Sequence, residues 1–192
     1  AYAELEALFS LDMPEKTAVC ILADKEEIGS VGISGMQSHY FEHFMEGLCD
    51  AQGVKLSDCF ANSFCLSADV SNAFDPNWPE TCDKRNNSQL NYGVAICKYT
   101  GSRGKGGASD ASAEAMGHVR STLDKAGVIW QIATLGKVDQ GGGGTVAAYM
   151  ANRNIVTVDA GVPVLSMHAP LELVSKLDCY ETMLACKAIY LA

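Results

Sequence analysis

The 192-residue sequence predicts an α/β fold in which a mixed, largely parallel sheet is covered by helices on both faces. Two observations carry that expectation. The apolar runs at residues 64–69, 92–99 and 128–133 are continuous rather than alternating, the pattern of strands buried on both sides. Segments with helical periodicity lie between such runs, and strand–helix alternation builds sheets with helices packed on both faces. Apolar residues make up 48% of the chain, enough to bury the core of one domain.

The elements follow in order. Residues 1–9, AYAELEALF, have helix-forming composition from the first position with no capping residue ahead of them, so the chain is expected to be part of something longer. Residues 19–23 read as a strand that stops at Asp24-Lys25-Glu26-Glu27 and a Gly-Ser turn. Phe41, Phe44, Met45 and Leu48 recur at i, i+3, i+4 and i+7 and predict a helix. Residues 64–69 and 92–99 predict strands, and 75–89, with Pro76 and Pro79, a loop between them. The stretch GSRGKGGASD predicts a turn into a helix over 111–126, capped by Ser109 or Asp110 and ended by Gly127. A strand over 128–133 comes next, and GGGGT then opens a short helix toward Asn152. Strands over 155–158 and 162–167 precede a closing helix over 177–191, with Leu177, Tyr180, Leu184, Ala188 and Leu191 on one face.

Composition removes several function classes. A net charge of −9, from 14 basic and 23 acidic residues, argues against a nucleic-acid partner. No stretch approaches the ~20 apolar residues of a membrane span, so no membrane partner is expected. Eight cysteines include no C-x-x-C pair, and Cys20, Cys65 and Cys97 lie in apolar runs; buried thiols in a cytoplasmic protein are the expectation. GSRGKGGAS is not a P-loop, because G-x-x-x-x-G-K-[ST] would need Gly at Tyr99 and Ser or Thr at Gly106.

The chemistry-bearing residues sit where apolar runs stop. Glu26 and Glu27 follow the first, Asp69 closes the second and His168 closes the last, and ligands in such sheets gather at the carboxyl ends of strands. Two adjacent glutamates on a tight turn point in different directions, so one can bind a metal while the other takes a proton from an attacking water. Carboxylates with imidazole suit Zn²⁺, Mn²⁺ or Co²⁺. Each residue also has a plainer reading, as a solvated turn, a strand-end cap or a packed histidine. Gly141 to Gly144 let backbone approach a neighbour or ligand closely, or form a flexible loop.

The motifs DKEEIGS, SADVSNAFDPNWP, KYTGSRGKGGASDASAE, VDQGGGGTVAAYMA and DAGVPVLSMHAPLELVSKLDCYETMLACKA occur in this order. Over nearly the whole chain they resemble the C-terminal part of the catalytic domain of the aspartyl aminopeptidase family of two-metal aminopeptidases. The resemblance implies a zinc-exopeptidase-like fold and two divalent ions, zinc with cobalt or manganese as alternatives. It implies Glu26 as general base, Glu27 and His168 on one metal, and Asp69 on the other. Lys98 falls where a basic residue can meet an acidic side chain of a peptide substrate; a solvated lysine is the alternative. A further His ligand, the bridging Asp and a dimerisation domain lie upstream of residues 1–192 in the family, whose full-length members form homo-oligomers, by resemblance dodecamers. On that basis residues 1–192 alone are expected to be inactive, and a catalytically inactive fragment or a non-catalytic, structural relative is the rival reading. The sequence departs from the family's commoner pattern at Lys25 and Asp75, where histidines are usual.

Overall fold

The computed structural model describes residues 1–137 and 139–192. Along the chain run α1 (Tyr2–Phe9), α2 (Tyr40–Gln52), α3 (Leu56–Ala61), β1 (Phe64–Ser67), β2 (Ser71–Asn72), β3 (Val94–Cys97), β4 (Tyr99–Ser102) and β5 (Gly106–Asp110). Then come α4 (Ala113–Ala126), β6 (Trp130–Ile132), α5 (Ala147–Ala151), β7 (Val156–Gly161), β8 (Pro163–Leu165), β9 (Leu173–Val174) and α6 (Lys176–Tyr190).

The main sheet has the order β1-β7-β3-β6. β7 is parallel to β1 and antiparallel to β3, and β3 is parallel to β6, so the sheet is mixed and largely parallel. Successive side chains alternate between its faces. Val94, Ile96, Val158 and Ala160 point to one face and pack with Ala115, Val119 and Leu123 of α4 and Ala185 of α6. On the other side Met45, Phe60 and Met150, from α2, α3 and α5, pack with Cys65 and Ile155. Helices therefore cover both faces, as the unbroken apolar runs require.

Two small sheets extend this frame. β4 and β5 form an antiparallel hairpin, and β8 pairs with β2 in parallel and with β9 antiparallel. The glycine-rich stretch read as a turn is thus largely a hairpin, its tip turning through Arg103 and Gly104 at positive φ. Helix α4 is capped by Ser112, whose hydroxyl accepts from Ala115 N at 3.1 Å, not by Ser109 or Asp110, which belong to β5. Gly127 ends that helix at φ 70°, as its sequence position predicts.

Residues 19–23, read as a strand, form none; among the described residues they make no backbone ladder with a neighbour, and Ile21 and Leu22 are exposed. Apolar composition marks the run but does not supply a pairing partner. The inward face of α6 also differs from the expected stripe. Leu184 and Ala188 pack against the core as expected, but the helix also turns Asp178, Thr182, Ala185 and Cys186 inward, while Leu177, Tyr180 and Leu191 are exposed. The cause is Asp178, whose carboxylate accepts from Asn91 N at 2.8 Å and Gly93 N at 2.9 Å and so fixes the rotation of the helix. All eight cysteines are free thiols, and no described helix is long and apolar enough to cross a membrane.

Asp178 is 1% exposed, so its two acceptor bonds are made out of water. Asp178→Ala leaves the buried N–H of Gly93 without a partner and should lower unfolding free energy by about 1–3 kcal/mol. Asp178→Asn, which keeps one acceptor oxygen, should lose less. Chemical denaturation reads both, and equal stability for the Ala variant and the parent would contradict this role.

Candidate metal centre

The acidic turn is built by backbone torsion rather than by packing. Lys25 sits in the left-handed region at φ 63°, the chain makes a single 3-10 turn over Glu26–Ile28, and Gly29 exits at φ 91°. Ser30 N then donates to Lys25 O at 2.7 Å and closes the loop. A non-glycine residue in the left-handed region is costly and persists only where its surroundings enforce it. Here Gln37 Nε2 and the Tyr149 hydroxyl both donate to Gly29 O, at 2.6 and 3.2 Å. The turn is held from two sides with both carboxylates free of backbone duties.

Asp69 and His168 reach the same sheet edge by a shared route. β1 ends at Ser67, residues 68–70 leave the main sheet, and β2 then joins β8, with Ser71 N donating to Val162 O at 2.9 Å. β7 passes directly into β8 alongside, and three residues beyond Leu165 stands His168 at φ 68°. Its backbone N–H donates to Glu172 Oε1 at 2.6 Å, which ties the loop to the approach of β9. Sequence reasoning passed over Glu172, and nothing short of the loop's geometry would have singled it out.

The structure brings the four residues together. His168 Nδ1 lies 3.5 Å from Glu27 Oε1. Glu26, Glu27 and Asp69 line one groove of about 340 Å³ whose walls include Leu22, Leu66, Val146 and Met150. Burial pushes Glu26 above the usual carboxylate range, and the charges of Asp69 and Glu27 push it further while His168 opposes them. Burial likewise raises Asp69, its bond from Val70 N works against that, and Glu27 adds to it. Among the described residues no three His, Cys, Asp or Glu side chains stand close enough together to hold a metal as they are. The donor set still fits a divalent cation, because oxygen and imidazole donors suit it and a positive charge between repelling carboxylates lowers their energy.

Lys98 is not part of this group. It lies at the β3–β4 junction, half exposed, with its ammonium on the carboxylate of Asp110. The polyglycine stretch approaches the hairpin closely, Arg103 N donating to Gly141 O at 2.9 Å. Within the sheet lies a further carboxylate, Asp159 of the inner strand β7, 6% exposed. It accepts from Thr145 Oγ1 at 2.7 Å, Ser67 Oγ at 2.8 Å and Thr100 Oγ1 at 3.4 Å, and burial pushes its pKa up to about 6 against those bonds. An acid inside the apolar run VTVDAG was the signal for it in the sequence.

The profile of the aminopeptidase I zinc metalloprotease (M18) family matches residues 1–190. A probable M18 family aminopeptidase 1 of Clostridium acetobutylicum is 49% identical over 186 residues, covering 95% of this chain and 40% of the relative. The crystal structure of an M18 family aminopeptidase from Thermotoga maritima superposes with a TM-score of 0.94 at 43% identity, covering 98% of this chain and 43% of that one. More distant is the yeast mApe1 dodecamer, 26% identical with a TM-score of 0.69, over 88% of this chain and 38% of that one. The chain thus spans less than half the length of the curated relatives it matches. The fold, the motifs and these likenesses agree, and the chain belongs to the aminopeptidase I (M18) zinc metalloprotease family.

Proposed function

We propose that the protein containing this chain is a metal-dependent aminopeptidase that hydrolyses the N-terminal residue, acidic by preference, from peptides. The observation that carries the reading is the convergence of Glu26, Glu27 and Asp69 on one groove with His168 beside Glu27. In it Glu27 and His168 hold one divalent cation and Asp69 a second, zinc by family and cobalt or manganese as alternatives, with a His and a bridging Asp outside residues 1–192 completing the set. Held by Glu27, His168 and Asp69, such cations would polarise a scissile carbonyl and make an attacking water more acidic. Glu26 supplies the proton transfer. Its carboxylate accepts a proton as the water oxygen adds to the carbonyl carbon, and returns it to the departing amine as the C–N bond breaks. A pKa raised toward neutrality, the direction its burial gives, suits a group that must both take and release a proton.

Lys98 provides acidic selectivity in this reading by exchanging Asp110 for the side-chain carboxylate of the substrate. A cytoplasmic homo-oligomer, dodecameric like the yeast relative, is the assembly proposed. The rival reading, a catalytically inactive fragment or structural relative, is favoured by the lack of a ready three-ligand group among the described residues.

Elemental analysis and turnover of the full-length protein separate the two readings. Glu26→Gln should cut turnover at least ~100-fold with metal content retained, since general base catalysis contributes about that much. Glu27→Ala should lower metal content itself. Equal metal loss in both variants would overturn the division of labour, and a parent protein without turnover would favour the structural reading. Lys98→Ala should reduce kcat/KM for N-terminal Asp and Glu by about 10- to 100-fold relative to Leu, the worth of a charge-assisted bond. Unchanged ratios would leave Lys98 as half of a surface ion pair.

A further inference from the structure

At Asp69 the chain leaves the main sheet, and a residue at such a bend has no ladder of its own to hold it. Among the described residues its carboxylate accepts only from the next one, Val70 N, at 2.7 Å. What lies against its backbone is β7. A Cβ placed on Gly161 would stand 1.3 Å from the carbonyl oxygen of Asp69, 2.5 Å from its carbonyl carbon and 3.2 Å from Val70 N. Gly161 is absent from the residues with positive φ, so what demands glycine here is space and not torsion. Two residues earlier on the same strand, Asp159 stands opposite Ser67 in the β1–β7 register and accepts its hydroxyl. Ser67 is the last residue of β1 and lies two residues before Asp69.

We infer that Asp159 and Gly161 of β7 are positioning residues for Asp69, the first anchoring the strand that delivers it and the second admitting its backbone to the bend. The inference rests on the reading of Asp69 as a metal ligand. Asp159 has the chemistry for this work. It carries a buried carboxylate with hydroxyl donors on three separate segments, Ser67 on β1, Thr100 on β4 and Thr145 ahead of α5. Among the described residues no cation lies within ion-pair distance of it. A buried acid held above its ordinary pKa is not the cheapest way to join three segments of a sheet, since an apolar residue would serve packing alone. What it adds is a fixed position for the end of β1 and a negative charge behind a cation site. The first acts on the cation through Asp69, as the outer partners of metal ligands do, and the second acts through space.

The test uses the full-length protein and reads zinc affinity by competition with a chromophoric chelator, with circular dichroism as the check on folding. Asp69→Ala should abolish one of two zinc equivalents. Ser67→Ala, Asp159→Asn and Gly161→Ala should each weaken that same equivalent about 10- to 100-fold, the range usual for partners of metal ligands, and leave the other unchanged. Ser67→Ala with Asp159→Ala should cost less than the sum of the losses for Ser67→Ala alone and Asp159→Ala alone, because both remove one bond. Gly161→Ala carries the risk of misfolding, and the Ser67 and Asp159 variants keep the test decisive without it. Should Asp69→Ala lose an equivalent while folded Ser67→Ala and Asp159→Asn bind both as the parent does, the positioning role is overturned. Should Asp69→Ala itself keep both, the reading of Asp69 fails first and takes this inference with it.

Discussion

Strand β7 is the constraint on which the rest of the structure depends. It runs between β1, to which it is parallel, and β3, to which it is antiparallel, so both of its edges are paired and both of its faces are covered. Any polar group on it must find partners inside the protein. Asp159 does so through three hydroxyls, and those hydroxyls tie together the segments leading to Asp69, to the hairpin and to α5. The strand then continues into β8 and delivers His168 to the edge where Asp69 emerges. One strand thus sets the spacing of two candidate ligands that lie about a hundred residues apart in sequence.

At that edge repulsion dominates. Glu26 and Asp69 are each raised by burial and by neighbouring acids, with His168 the opposing charge. Folding alone gains nothing from gathering these groups, because each carboxylate makes the next more costly to ionise. The strained torsions at Lys25 and His168 add to that cost. Strain and like charges gathered in one groove are the marks of a site shaped for a ligand rather than for stability, and a divalent cation is the ligand that turns the repulsion into attraction.

How much of this was legible in the sequence follows from how local each cause is. The strands Phe64–Ser67 and Val94–Cys97 were legible within the longer runs 64–69 and 92–99 because continuous apolar residues report covered faces, and the end of the first run pointed to Asp69. Gly127 was readable because a helix end needs a left-handed residue. Residues 19–23 look the same in composition yet form no strand, since pairing is decided by a neighbour that composition does not name. The hairpin over β4 and β5 was hidden by its glycines, which mark turns and tight backbone contacts alike. The orientation of α6 was hidden because two backbone N–H groups more than eighty residues away decide it. Glu26, Glu27, Asp69 and His168 were legible as candidates because they stand where apolar runs stop, whereas the contacts of Gly161 and Asp159 cross between strands and exist only once the register is known.

We propose that this edge of the sheet holds divalent cations through Asp69 just past β1, His168 just past β8 and the acidic turn. It is tested most directly by anomalous diffraction from crystals of the full-length protein grown with zinc. The account predicts one zinc peak about 2.0–2.2 Å from a carboxylate oxygen of Glu27 and a ring nitrogen of His168, and a second at that distance from Asp69. Zinc peaks on other residues, with Asp69 or His168 turned away from the groove, would contradict it.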